Sequence, residues 1–167
     1  VEHTLIVCHS ETNIFTSAFF KDDYNPPDGF CFDVLCGDDP IMDNEDLEGY
    51  NVQDKVSRFV AFAKKQAAAM RTNHIMMLMG SDFQYTNANM WFDNLDKLIR
   101  YSSAKVNVFY STPACYYNAI NETAPRLTRK FDDFFPYASK NHSFWTGYFT
   151  SRPTFKRIIR EASALLQ

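Results

Sequence analysis

The 167 residues are enough for one domain with a real core, but short of the ~250 that a complete (β/α)₈ barrel typically takes. A formal charge of −3 and a pI near 5.8, with no Lys/Arg cluster beyond a dipeptide, argue against a nucleic-acid or anionic-membrane surface. No apolar run nears the ~18 residues of a membrane span, and no charged start precedes a small-residue cleavage site, so the chain reads as a mature or excised piece.

In chain order, Leu5 to Cys8 is a short apolar run that suits a strand. A polar turn and an undecided stretch, Ile14 to Phe20, follow. From Lys21 to Glu48 the chemistry is that of a loop, with Pro26-Pro27, Asp28-Gly29, Gly37 and Pro40. Helical spacing begins at Asn51, a candidate N-cap, and places Val52, Val56, Phe59, Val60, Ala63, Ala67 and Met70 on one face to about Arg71. His74 to Met79 is a continuous apolar run that reads as a strand buried on both faces, ended by a Gly80-Ser81 turn with Asp82 just past it.

A second helix follows, with Trp91, Leu95, Leu98 and Ile99 on one stripe and Asn87 or Asn89 to cap it. Lys105 to Ser111 alternates and is β-branched, as a strand would be. Helix, strand, helix, strand is the rhythm of an α/β fold with parallel strands, in which ligands sit at the carboxyl ends of the strands. Pro125 opens an irregular stretch, and residues 132–153 are aromatic and turn-like. Pro153 suits a first helical position, and Phe155, Ile158, Ile159, Ala162, Leu165 and Leu166 form a stripe to the last residue without a C-cap. A chain that stops inside an amphipathic helix looks cut from something larger.

Four cysteines stand at Cys8, Cys31, Cys36 and Cys115. Cys31 and Cys36 flank a loop that a disulfide can close, whereas a metal would want further Cys or His nearby. Two N-glycosylation sequons, Asn121-Glu-Thr and Asn141-His-Ser, lie in polar segments. Sequons and a closable cysteine pair together favour the secretory pathway over the cytosol.

Glycoside hydrolysis needs two carboxyl groups, one to give a proton to the leaving oxygen and one ionised. Asp82 is a candidate for the first, since its apolar neighbours would desolvate it as a proton donor requires, or it is a capping or turn acid. Asp132 and Asp133 are loop acids beside aromatics, either catalytic or turn-forming. Trp145, Tyr148 and Tyr137 are either walls for a sugar ring or core packing. The histidines are scattered; His9-Ser-Glu11 is the one His-x-acid pair and reads as a surface turn, so no metal site is assigned. Gly80-Ser81 lacks the second glycine of a nucleophile elbow.

Five ordered motifs, Tyr24-Asn-Pro-Pro-Asp-Gly-Phe-Cys-Phe-Asp-Val-Leu-Cys36, Met79-Gly-Ser-Asp-Phe-Gln-Tyr85, Tyr110-Ser-Thr-Pro-Ala-Cys115, Asp132-Asp-Phe-Phe-Pro-Tyr-Ala138 and Phe144-Trp-Thr-Gly-Tyr-Phe-Thr-Ser-Arg-Pro153, resemble glycoside hydrolase family 38, in particular its lysosomal branch. The resemblance runs from about Phe15 to the end. It implies that Asp82 is the general acid/base, that Trp145 lines the sugar site with Tyr24 and Asp133 as substrate-binding partners, and that Cys31 pairs with Cys36. Ser81 and Asn25 stand where Golgi relatives carry Asp. Cys115 would pair with a cysteine upstream of this chain, which leaves Cys8 without a family partner.

The family's zinc is held by a His-x-Asp, the nucleophilic Asp and a later His. None of these motifs is in this sequence, so the zinc ligands and the nucleophile are expected outside it. The implied fold is part of a (β/α) barrel over residues 1–150, running at 151–167 into the first helix of a three-helix bundle. The implied function is a share in a retaining α-mannosidase, lysosomal or secreted, that removes terminal α-D-mannose from N-linked oligosaccharides in lysosomal glycoprotein catabolism. Its expected partners are mannose-containing oligosaccharides and companion segments or chains of the same enzyme, with no nucleic acid and no membrane; the chain alone is expected to be inactive. The alternatives are a non-catalytic glycan-binding or structural piece that kept the fold without zinc or nucleophile, or a plain α/β domain.

Overall fold

Apolar residues spaced for one helical face give α1 (Val52–Ala68) and α2 (Ala88–Ser102), and these two helices organise the first part of the chain. The computed structural model describes residues 4–9, 12–20, 24–123 and 125–167, and its contacts divide into two units, Val1–Arg129 and Lys130–Gln167.

In the first unit, β1 (Thr4–His9) and β2 (Thr12–Ser17) form an antiparallel pair in register Thr4↔Ser17 to His9↔Thr12. A short β3 (Thr128–Lys130), at the boundary between the units, lies on the other side of β1, in the order β2-β1-β3. The core is made elsewhere. Val52, Val56, Phe59 and Val60 of α1 meet Trp91, Leu95 and Leu98 of α2 around Phe30, Phe32 and Ile41, three residues of the long loop that are almost wholly buried. Each such side chain contributes about 1.5–3 kcal/mol by leaving water.

The loop gains its order from the helices as well. Lys55 Nζ donates to the carbonyls of Gly29 (2.9 Å) and Asp39 (2.8 Å), and Asn94 Oδ1 accepts the Ile41 amide at 2.6 Å. Lys97 Nζ reaches the Ile41 carbonyl at 3.0 Å and pairs with Asp43 at 2.8 Å. Asn51 does not cap α1 with its side chain. It holds the loop instead, accepting from the Met42 amide and donating to the Pro40 carbonyl, both at 2.9 Å. Asn87 stands at the N-cap position of α2, also without a side-chain cap bond.

Residues 74–79 and 105–111, expected as strands, carry no strand here, and among the described residues no strand-ladder bond joins them to another segment. A strand exists by its ladder partner, and the neighbours available are helices and loops. The 74–79 run is accordingly exposed at His74 and half-buried from Ile75 on, not buried on both faces: Met77 and Met79 pack on the core, as do Val106 and Val108 of the later segment, while Gln66 Nε2 donates to the Met76 carbonyl at 2.9 Å. α3 (Pro113–Glu122) is an element that the periodicity did not announce; Thr112 caps it by accepting the Cys115 amide at 3.2 Å, with Pro113 in its first turn.

The second unit holds a hairpin of β4 (Ala138–Lys140) and β5 (Ser143–Phe144), a short α4 (Gly147–Thr150) and α5 (Pro153–Leu166). The expected start of α5 at Pro153 is observed, and its apolar stripe, from Phe155 to Leu166, is exposed. No helix among the described residues is long and apolar enough to cross a membrane.

Candidate active site

The candidate site grows from a backbone that few sequences tolerate. Within six residues, Gly80 (φ 147°), Phe83 (φ 62°) and Tyr85 (φ 70°) all have positive φ. Glycine accepts this freely, whereas for Phe and Tyr it costs on the order of 1–3 kcal/mol each and persists only where the surroundings enforce it. The surroundings here are specific. Tyr85 turns back so that its hydroxyl donates to the Met79 carbonyl at 2.5 Å and its ring stacks on Trp91 with centroids 5.2 Å apart and planes 12° from parallel. A Cβ on Gly80 would stand 2.9 Å from that ring, so position 80 needs glycine for space as well as for conformation.

A second loop, 24–36, lies against the first and meets it at four places. Tyr24 Oη donates to Asp82 Oδ1 at 2.5 Å, and Ser81 Oγ to Asn25 Oδ1 at 2.6 Å. Gln84 Nε2 lies 3.4 Å from the sulfur of Cys31 and 3.6 Å from that of Cys36, which are joined as a disulfide with their Cα atoms 5.9 Å apart. The Tyr85 amide donates to Asp33 Oδ2 at 2.9 Å. The same oxygen accepts the Trp91 indole N–H at 2.8 Å, and Oδ1 accepts the Leu35 amide at 3.1 Å.

Asp33 is 3% exposed, and the Tyr85 amide above all holds its carboxyl below the usual carboxylate range, with the Leu35 amide and the Trp91 indole adding to it against the opposing effect of burial.

Of the residues expected at the site, Tyr24 and Asp82 are therefore brought together by a direct bond. Asp82 is exposed, so the apolar run before it does not enclose it as the sequence led us to expect. Asp133 and Trp145 belong to the second unit. Asp133 accepts the Phe135 amide at 3.0 Å in a local turn; its neighbour Asp132 pairs with Lys130, which lowers the Asp132 pKa. Trp145 is 56% exposed, donates its amide to the Tyr137 carbonyl at 2.9 Å and meets the Tyr137 ring edge-on at 5.4 Å. The sequons fare alike: Asn121, in the last turn of α3, and Asn141, in the turn between β4 and β5, are both exposed.

Asp33 and Lys55 are the residues that the sequence did not single out. The available signal for Asp33 was an acid between apolar neighbours inside a cysteine-bounded loop, an odd place for a solvated turn acid. Among the described residues no group of three or more His, Cys, Asp or Glu converges to hold a metal. His3 and Glu11 of the scattered candidates lie outside the described residues.

Residues 8–140 match the glycosyl hydrolases family 38 N-terminal domain. The chain is 48% identical over 161 residues to the lysosomal alpha-mannosidase of Cavia porcellus, covering 93% of this chain and 16% of that protein. It is 51% identical over 150 residues to the lysosomal alpha-mannosidase of Homo sapiens, covering 86% and 15%. An alpha-mannosidase of Arabidopsis thaliana is 48% identical over 159 residues, with 92% and 15% covered. The chain thus spans about a sixth of the length of these relatives. With most of its residues inside that domain match, the chain belongs to glycosyl hydrolase family 38.

Proposed function

We propose that this chain is part of a retaining α-mannosidase that removes terminal α-D-mannose from N-linked oligosaccharides in lysosomal glycoprotein breakdown, with Asp82 as its general acid/base. The observation that carries this reading is the Tyr24–Asp82 bond, 2.5 Å long, formed between two loops that both lie inside the family match. In the first step Asp82 gives its proton to the leaving glycosidic oxygen while a nucleophilic carboxylate takes the anomeric carbon. In the second the ionised Asp82 takes a proton from the water that releases the sugar. A retaining pair stands ~5–5.5 Å apart, and the nucleophile is to be sought outside the described residues.

The fold we propose is the (β/α) barrel of the family, supported by the alternation of α1, the apolar 74–79 segment, α2 and the β-branched 105–111 segment. Zinc, if the whole enzyme carries it, needs ligands that the described residues do not assemble, and no step is assigned to it. Trp145, which is exposed, and Tyr24 and Asp133 are the substrate-binding candidates of this chain. Lysosomal or secretory residence is supported by the named relatives and by the Cys31–Cys36 disulfide, a bond that survives in oxidising compartments.

The test is Asp82→Asn in the full-length enzyme. Removing a general acid costs about 10²–10⁴-fold when the leaving group needs a proton. The expected result, read as kcat/KM, is that loss with an α-linked mannobiose and a far smaller one with dinitrophenyl α-mannoside, whose leaving group departs unprotonated. Equal losses on the two substrates would reject Asp82 as the acid.

A further inference from the structure

Asp82 sits at the tip of a loop whose own conformation is unfavourable, so something must hold the loop. Its C-terminal end is fixed at Tyr85, three residues after Asp82, and the bond that fixes the Tyr85 backbone comes from Asp33. A carboxylate is an acceptor only, and the groups bonded to this one, among them the Tyr85 amide, the Trp91 indole and the Leu35 amide, are N–H donors. The arrangement needs an ionised acid, since an amide in its place would turn an NH₂ toward at least one of those donors.

Asp33 also belongs to the loop that carries Tyr24, the hydrogen-bond partner of Asp82, and the disulfide between Cys31 and Cys36 brackets it, with the Cys36 amide donating to its carbonyl at 3.0 Å. It therefore joins the two segments that bear the two members of the pair.

We propose that Asp33 is the positioning residue of this site: through the Tyr85 amide and the Trp91 indole its buried carboxylate sets the place of Asp82 against Tyr24 and so against the leaving oxygen. The inference rests on the reading of Asp82 as the acid/base. A misplacement of about 1 Å in a catalytic group costs up to 10²-fold, and only in the steps that use that group. Loss of Asp33 should accordingly weaken proton donation and spare reactions that do not need it. A purely structural Asp33 would instead lower the amount of folded enzyme and reduce all reactions alike.

The experiment compares Asp33→Ala, Asp33→Asn and Asp82→Asn in the full-length enzyme, per mole of active sites titrated with a covalent mannosyl inhibitor. kcat/KM is measured for the mannobiose and for dinitrophenyl α-mannoside. Asp33→Asn preserves volume and keeps an acceptor oxygen, so it serves where the alanine variant fails to fold. The expected result is a loss at Asp33 about ten-fold or more larger on the mannobiose than on the activated substrate, in the same direction as Asp82→Asn. Equal losses on both substrates at Asp33, beside a clear split at Asp82→Asn, would overturn the positioning role and leave the acid assignment standing. No split at Asp82→Asn would overturn the acid assignment and this inference with it.

Discussion

Asp33 and Asp43 are acids whose bonds are worth more ionised than protonated. Lys97, hydrogen-bonded at 2.8 Å, holds the Asp43 carboxyl low with help from the Tyr101 hydroxyl, as the Tyr85 amide does for Asp33. A depressed carboxyl stabilises the fold fully above its unfolded value of about 3.9, and that stability is lost as pH falls through the lower folded value. The expected outcome is a urea midpoint that these two acids leave flat down to about pH 5 and lower steadily below about pH 4, with Asp43→Asn reducing the acid dependence; an unchanged slope in that variant would contradict the account. Trp91, wholly buried, is a further partner of Asp33. Trp91→Phe, which removes the indole donor but keeps most of the ring, should cost roughly 1–3 kcal/mol and Trp91→Ala roughly 3–5 kcal/mol by chemical denaturation. Asp82 is legible as a candidate acid from the turn that ends its apolar run, and Tyr24 as a substrate-binding candidate only through the ordered family motifs; nothing in the sequence announces the bond between them. Asp33 was hidden because its role depends on donors 52 and 58 residues away, and no local pattern encodes that distance.

Among the elements, helices were the most legible and strands the least. The stripes of α1, α2 and α5 repeat every three to four residues and carry their own hydrogen bonds, so the sequence places them to within a few residues of their observed ends. The 74–79 run is apolar enough for a strand, but a ladder is a property of two segments, and one run cannot announce its partner. α3 was missed although Thr112-Pro113 is a start signal, because the Tyr and Asn residues that follow show no clear apolar stripe.

The loop 24–51 owes its order to side chains of the helices, which gives a direct test. Asn94→Leu leaves the Ile41 amide buried without its acceptor and should cost about 1–3 kcal/mol; hydrogen exchange at Ile41 and Met42 should accelerate while the amides of α1 stay protected. Uniform acceleration across both would show that the loop is not held locally.

At the scale of the whole molecule, the family match at residues 8–140 crosses from the first unit into the second, so kinship does not follow the boundary at Arg129 and Lys130. The charge balance argues against a nucleic-acid surface, and the aromatics stand between core packing and sugar walls: Phe30, Phe32, Phe59 and Trp91 build the core, and Trp145 keeps more than half of its surface exposed. Both sequon asparagines are exposed, and in protein from a eukaryotic secretory host we expect glycan at Asn121 and Asn141, seen as a mass loss at each peptide on enzymatic deglycosylation. Unmodified peptides at both positions would count against a secretory history.

The contrast between the two indoles has a use in the laboratory. This sequence has two tryptophans, one wholly enclosed beneath the Tyr85 ring and one 56% open beside Tyr137. Their emission should separate by colour and by access to quencher: a blue, shielded signal from Trp91 that follows the loop bearing Asp82, and a red, quenchable one from Trp145 that a bound sugar would shield. Disorder at the acid loop and occupancy of the aromatic face thus become two channels of one optical measurement.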